Sequence, residues 1–470
     1  MNSTQKRLSA LIAILVILVT ACGGAAPTTA PAPTEKPAEP AATQKPAEPV
    51  ATEKPTEPAP TEAPVVEEPV TIQVFYPVAV DAPIAAILNG YIEQFQAKYP
   101  NITVEPVFSG GYADVQTAIQ TTIDGGGTPP ALAVLLATSL YDLINADYIA
   151  PLDSYVVSME NGDAYLKDFL PAFLANSYYD DQLWSIPFQR SAVVLYYNVD
   201  MFKAAGLEPP DSWESWAAAA QALTTVNGDT TNWGLHFSSD WPYWLFQPLA
   251  IGNGQNIFID DCHVAFNDPK VVEAVQYYID LSEKYNAMPA GVQASWATDP
   301  SDFSSGSTAM IAHTTGSLSG ILSQAQFEVG VMAYPGKEAG TYASVPGGGN
   351  FYILKGAPQA EQDAAWLFIQ FLTSPELAAD FSIQTGYIAS RASAFDTEAM
   401  KAYVAKVPQA LQARDALKYA QGELAIQDLG EVRGIFHSYI QKAFNGEMSA
   451  AEAMDAAQAE AEAALQPFCQ

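Results

Sequence analysis

Trp184-Ser185-Ile186-Pro187-Phe188-Gln189-Arg190-Ser191-Ala192-Val193-Val194-Leu195-Tyr196-Tyr197-Asn198 is the stretch on which the fold turns. Its opening aromatic and proline read as a turn. Three polar residues, Gln189, Arg190 and Ser191, then stand directly before a β-branched, aromatic run that reads as a buried strand. Polar side chains at the mouth of a buried strand either cap its end or form the wall of a ligand site. The flanking sequence bears on that choice.

Upstream, patterning begins at Val70. Residues 71–76 read as a strand, 84–99 as an amphipathic helix, 102–108 as a strand, 113–123 as a helix and 131–136 as a hydrophobic strand, followed by a helix at 141–144. Strands alternating with helices imply parallel crossovers and an α/β sheet. Gly125-Gly126-Gly127 follows a helix rather than a strand and lacks phosphate-cradle spacing, so it reads as a loop. Downstream, 213–223 is helical with Asp211 or Ser212 as its N-cap, and an aromatic-dense stretch runs from Trp233 to Phe246. Further helices are expected at 269–285, 361–372 and 450–465, with strands around 329–332 and 351–354.

The ends of the chain speak to address. Lys6 and Arg7 precede a short uncharged apolar run, Leu8 to Val19, and then Val19-Thr20-Ala21-Cys22. This reads as an export signal over 1–22, with Cys22 as a lipidated mature N-terminus; an ordinary signal cut near Ala21 is the alternative. Residues 23–69 are rich in Pro, Ala, Thr and Glu and contain a nine-residue repeat at 32–40, 41–49 and 50–58. With little to bury, this is an extended tether reaching on the order of 100 Å at ~3.1 Å per residue. The formal charge of −32 and the absence of a basic stripe exclude nucleic acid as a partner. Cys262 and Cys469 either pair or remain separate thiols. Neither a metal site nor a cofactor is expected.

The order of these elements and several short phrases resemble the family 1 extracellular solute-binding proteins, the sugar- and polyol-binding subunits of ABC importers. The carriers are Val194-Leu195-Tyr196-Tyr197-Asn198, Phe202-Lys203-Ala204-Ala205-Gly206-Leu207, Ser212-Trp213-Glu214, Gly306-Ser307-Thr308-Ala309-Met310 and Phe444-Asn445-Gly446-Glu447-Met448-Ser449. The resemblance implies a two-lobed, type II periplasmic-binding-protein-like α/β fold with a ligand cleft between lobes and several chain crossings. The expected lobes are 70–190 plus 312–370, and 191–311 plus 371–470. It also implies a monomer that binds a small-molecule sugar or polyol phosphate and docks on the transmembrane subunits of an ABC permease.

Within the family the chain looks most like the glycerol-3-phosphate-binding branch. The match implies ligand contacts at Tyr112, Ser191 and Thr314, a backbone N–H offered by Gly348, a phosphate grip from Tyr387 and Arg433, and an aromatic wall from Trp241 and Trp244. Two departures are visible, and they leave a glycerophosphodiester, a different sugar phosphate or a neutral oligosaccharide open in place of glycerol-3-phosphate. Ala137 stands where that branch has a hydroxyl-binding glutamate, and Arg190 replaces a small polar residue. The residue chemistry is compatible with the roles: arginine presents a planar donor fork to anions, and tryptophan faces stack on sugars or hold a choline-like cation. Core packing for the tryptophans and Tyr387, and a structural ion pair for Arg433, are the competing readings. His313 is expected to be a hydrogen-bonded structural residue. Asp180-Asp181 and Asp260-Asp261 flank turns, and adjacent carboxylates rarely face one site, which argues against a glycoside hydrolase. That enzyme class and a non-transport adhesin are the rival readings.

Overall fold

The computed structural model describes residues 68–469. The expected signal peptide, the lipidation site Cys22 and all but the last two residues of the tether lie outside the described residues. So does Gln470.

The strand at the centre of the opening stretch is longer than its sequence suggests. Ile186–Asn198 is one continuous strand, and all of it except the half-buried Tyr197 is buried. Pro187 does not break it because the pairing carries an irregularity there: Gly349 pairs with Gln189 and Asn350 with Pro187, leaving Phe188 bulged out of register. Bulges and missing donors are where a strand tolerates proline. Gln189, Arg190 and Ser191 therefore lie within the sheet rather than at its end.

This strand joins two halves of a mixed sheet. The order is Ile102–Phe108, Val70–Tyr76, Leu132–Leu136, Pro346–Ile353, Ile186–Asn198, Met310–Thr314, His236–Phe237, with Val329–Met332 also paired to Ile186–Asn198. The first three strands are parallel, as the alternating pattern implied. Residues 186–192 pair antiparallel with Pro346–Phe351, whereas 193–198 pair antiparallel with Met310–Thr314 and Val329–Met332.

Two large hydrophobic cores follow the same division. One is built from Ile72 to Phe188, together with Phe351 to Tyr387. Helix Ile84–Lys98 serves it with Ile84, Ile87, Leu88, Tyr91, Ile92 and Phe95, one face at helical spacing. The other draws on Val193 to Met288, Met310 to Val345 and Leu424 to Leu465. Core membership departs from the expected lobe boundaries at 312 and 371. Ala312, Tyr334, Ala343 and Val345 belong to the second core because strand Met310–Thr314 pairs with the second half of the long strand. Phe381 and Tyr387 stay with the first core.

The caps are local and legible. The Ser212 side chain accepts from the Ser215 N–H at the start of Trp213–Leu223, and Ser449 with Glu452 forms a capping box on Ala450–Leu465. Cys262 and Cys469 form a disulfide with Cα atoms 5.6 Å apart, tying the hairpin Phe258–Asp260/His263–Val264 to the chain just beyond the last helix. Because the bridge closes a separation of 207 residues, Cys262→Ser should cost at least about 2 kcal/mol. Calorimetry should show the wild type falling to the variant's melting temperature under reducing conditions. Equal melting of both proteins under oxidising conditions would refute this.

Candidate functional site

Between the two cores lies a cavity of ≈ 50 Å³, room for a few water molecules. Residues of the first core wall one side, and the second core supplies three tryptophans to the other. Pockets that hold small ligands usually enclose several hundred Å³, so this space is small for one. A second cavity of ≈ 260 Å³ adjoins it and shares Ala79, Val80 and Trp296.

Seven of the eight ligand-site residues expected from the sequence line this cavity: Tyr112, Ser191, Trp241, Trp244, Thr314, Gly348 and Tyr387. Each is placed by an identifiable local feature. Tyr112 is the first residue of helix Tyr112–Asp124, held against the Gly111 N-cap. Its hydroxyl donates to Gln189 Oε1 at 3.4 Å, and burial together with neighbouring Tyr387 keeps it protonated. Ser191 sits on the long strand opposite Gly347. Thr314 ends its strand and uses Oγ1 to accept from the Gly316 N–H at 3.1 Å. Trp241 is the N-cap residue of helix Pro242–Gly252, which places Trp244 one turn on, with its Nε1 donating to the Pro346 carbonyl at 2.9 Å.

The glycines of strand Pro346–Ile353 make this packing possible. A Cβ on Gly347 would run into the Trp244 ring. Gly348 has φ +96°, and a Cβ there would overlap the carbonyl oxygen of Gln189. The resemblance assigns Gly348 a backbone contact with ligand; the backbone geometry requires glycine there in any case.

Arg433 is the residue the structure does not bring to the wall. It lies half-buried on helix Leu429–Phe444, with its guanidinium 5.8 Å from the ring centre of Tyr243, and Tyr243 faces the cavity in its place. Arg190 also sits behind the wall, fully buried. Its Nη1 donates to Asn350 Oδ1 at 3.1 Å and to the Gly348 carbonyl at 3.4 Å, its guanidinium lies over the Phe173 ring, and Nε and Nη2 have no hydrogen-bond partner. His313 is structural: it is buried, stacked on Trp296 at 4.0 Å, and hydrogen-bonded to the Trp296 carbonyl and to Ser317. Burial holds it neutral by lowering its pKa.

Besides Tyr243 and the aliphatic Ala79, Val80 and Leu136, two wall residues escaped the sequence reading. Trp296 completes an aromatic trio, with ring centres 6.3 Å from Trp241 and 6.0 Å from Trp244. It stands alone in a loop of small residues, Gln293-Ala294-Ser295-Trp296-Ala297-Thr298, where no periodicity marks it. Glu423 is the other. It is 2% exposed, accepts a hydrogen bond from the Tyr243 hydroxyl at 3.2 Å through Oε1, and leaves Oε2 without a partner. Burial pushes its pKa up to about 7, against the opposing pull of Arg190, the Tyr243 hydroxyl and Arg433. Ala137 is buried in the short turn after strand Leu132–Leu136, and its carbonyl accepts from the Tyr352 hydroxyl at 3.2 Å. The cavity thus has a carboxyl group, but on the opposite core from Ala137.

A family model for bacterial extracellular solute-binding proteins matches residues 90–409, and the chain belongs to that family. The sn-glycerol-3-phosphate-binding periplasmic protein UgpB of Pectobacterium atrosepticum is 24% identical over 413 residues, spanning 83% of this chain and 90% of that protein. The crystal structure of UgpB from Mycobacterium tuberculosis in complex with glycerophosphocholine aligns with a TM-score of 0.75 at 22% identity, over 86% of this chain and 99% of that one. An ABC substrate-binding protein from Listeria monocytogenes in complex with cycloalternan aligns with a TM-score of 0.73 at 21% identity, over 85% and 100% respectively. The fold is the α/β fold of periplasmic binding proteins. The chain is an extracellular binding protein and not an enzyme.

Proposed function

We propose that this chain is the substrate-binding lipoprotein of an ABC importer. On this reading Cys22 carries the lipid, residues 23–69 span the gap from the membrane, and the body acts as a monomer that delivers its ligand to the permease. The lobes are those of the two cores, with crossings in the strands Ile186–Asn198 and Pro346–Ile353 and in the segment after Tyr387. Ligand bound by both walls stabilises the closed state through contacts absent from the open one, and closure is what the permease reads.

The observation that carries the ligand assignment is the wall itself. Three tryptophans line it together with tyrosine, serine and threonine hydroxyls and one carboxyl group, with no lysine or arginine among the residues lining the cavity. That chemistry suits a polyhydroxylated ligand of the sugar class, whose C–H faces stack on indole and whose hydroxyls pair with Glu423, Ser191 and Thr314. A glycerophosphodiester is the second reading. Arg433 supports it from behind Tyr243, as does the aromatic trio, which can surround a quaternary ammonium.

A thermal-shift and calorimetric screen distinguishes the two. Neutral oligosaccharides should raise the melting temperature in proportion to RT ln(1 + [L]/Kd), and Arg433→Ala should leave that shift intact. Shifts confined to glycerol-3-phosphate or glycerophosphocholine, and lost in Arg433→Ala, would replace the first reading with the second. Saturable binding of none of these would sink both.

A further inference from the structure

One cluster of side chains outside the cavity combines burial with missing partners. His236 begins the short edge strand His236–Phe237, paired in parallel with Ile311–Ala312. Asp299 and Asp302 lie on the short helix Asp299–Ser304, just after the Trp296 loop. Their ligating atoms all fall within 4.8 Å of one another. Nδ1 of His236 is 3.3 Å from Asp299 Oδ1 and 3.7 Å from Asp302 Oδ2.

Asp299 makes this more than a surface acidic pair. Its side chain is fully buried, and neither carboxylate oxygen has a hydrogen-bond partner. Nδ1 of His236 also lacks one, because its approach to Asp299 is close but not aligned as a hydrogen bond. A buried carboxylate with both oxygens unsatisfied costs several kcal/mol unless a charge or donor compensates it. Among the described residues the ion-pair partner of Asp299 is His236 alone.

We propose that His236, Asp299 and Asp302 hold a divalent transition-metal ion of the zinc type. Donors at 2.0–2.2 Å from a tetrahedral ion stand roughly 3.3–3.6 Å apart, close to the two separations His236 makes. One imidazole with two carboxylates favours zinc over calcium, which takes six to eight oxygens. Asp302 is 40% exposed and His236 17%, so the fourth position opens to solvent and water completes the shell. The net charge of −32 raises the local concentration of cations around the molecule. No local motif announces the site, since the histidine and the carboxylates come from distant parts of the chain.

The ion would pin the helix Asp299–Ser304 to the sheet edge, and so fix one end of the loop that carries Trp296. The other anchors of that loop are visible: the Trp296 N–H donates to Asp240 Oδ2 at 3.0 Å, and its ring stacks on His313. Metal occupancy therefore bears on the rigidity of the aromatic wall without touching the ligand.

The test is titration of the chelator-stripped full chain with zinc, manganese and calcium chlorides, read by calorimetry and thermal shift. Zinc should bind with one tight site and raise the melting temperature. Asp302→Asn, a change at a partly exposed position that the core tolerates, should weaken zinc at least tenfold. Asp299→Asn should weaken it on the order of 100-fold, with far-ultraviolet circular dichroism checking that it folds. Undiminished zinc affinity in Asp302→Asn would place the ion elsewhere, for example at the exposed His263–Asp260 pair, and overturn the proposal. Binding of calcium in preference to zinc would overturn the choice of metal, and binding of none of the three would overturn the site.

Discussion

A Gly348→Val variant should lose about 4 kcal/mol or more of stability together with its ligand binding. Two costs coincide at this position. Its φ of +96° lies where β-branched residues are strained, by about 1–3 kcal/mol. In addition, the added Cβ overlaps the Gln189 carbonyl of the neighbouring strand, so the pairing of Pro346–Ile353 with Ile186–Asn198 must shift. That pairing sets Ser191 opposite Gly347 and lets Trp244 lie over the glycine strand. Relaxing it misplaces both walls at once. In a body of this size the loss corresponds to a fall of roughly 5 °C in melting temperature. Gly340→Ala is the matched control: it shares the positive φ, at +77°, but its Cβ would meet open space, so about 1 kcal/mol is expected. Calorimetry on the two variants separates strain from collision. Equal, small losses would show that the strands yield and that Gly348 is there for another reason.

Why the sequence revealed some of this and hid the rest is a matter of which interactions are local. The parallel strands Val70–Tyr76, Ile102–Phe108 and Leu132–Leu136 and the helices between them were legible because apolar spacing and punctuation agree there. The first half of Ile186–Asn198 was not. Pro187 and three polar residues imitate a turn, and only the bulge against Pro346–Ile353, a partner some 160 residues away, lets them run on as strand. Trp241 and Trp244 were marked by the resemblance, in an aromatic-dense stretch whose helix only the structure shows, whereas Trp296 belongs to a loop without a period and acquires its place from two distant rings. Arg433 was marked by resemblance to a motif, and in the structure it lies against the Tyr243 ring while Tyr243, not Arg433, lines the cavity. Glu423 shows the limit most plainly. A single carboxylate in an irregular segment carries no signal until the fold buries it beside Tyr243 and within the field of two arginines.

Glu423 also gives the protein a pH dependence with a definite sign. Its folded pKa, about 7, lies above the ordinary value of 4.5, so the fold favours the protonated carboxyl. The stability this confers is complete below about pH 4.5 and is lost as pH rises through about 7. The span between the two pKa values makes the loss on the order of 3 kcal/mol at pH 8. Glutamine keeps the shape of the protonated acid and cannot ionise. Glu423→Gln should therefore flatten the decline in melting temperature between pH 4.5 and pH 8, and should melt above the wild type at the upper end. Ligand binding should move the opposite way. A hydroxyl or cation that pairs with the free Oε2 stabilises the ionised form, so the wild type should release a proton on binding near pH 7, seen as a heat that depends on the buffer. The variant should release none and bind about 10–100-fold more weakly, the worth of one hydrogen bond to a charged group. Stability and affinity would then be set against each other at one buried carboxyl, as expected of a group kept for the ligand rather than for the fold. If the variant kept full affinity and the wild type's pH decline persisted in it, Glu423 would be a spectator and the titrating group would lie elsewhere.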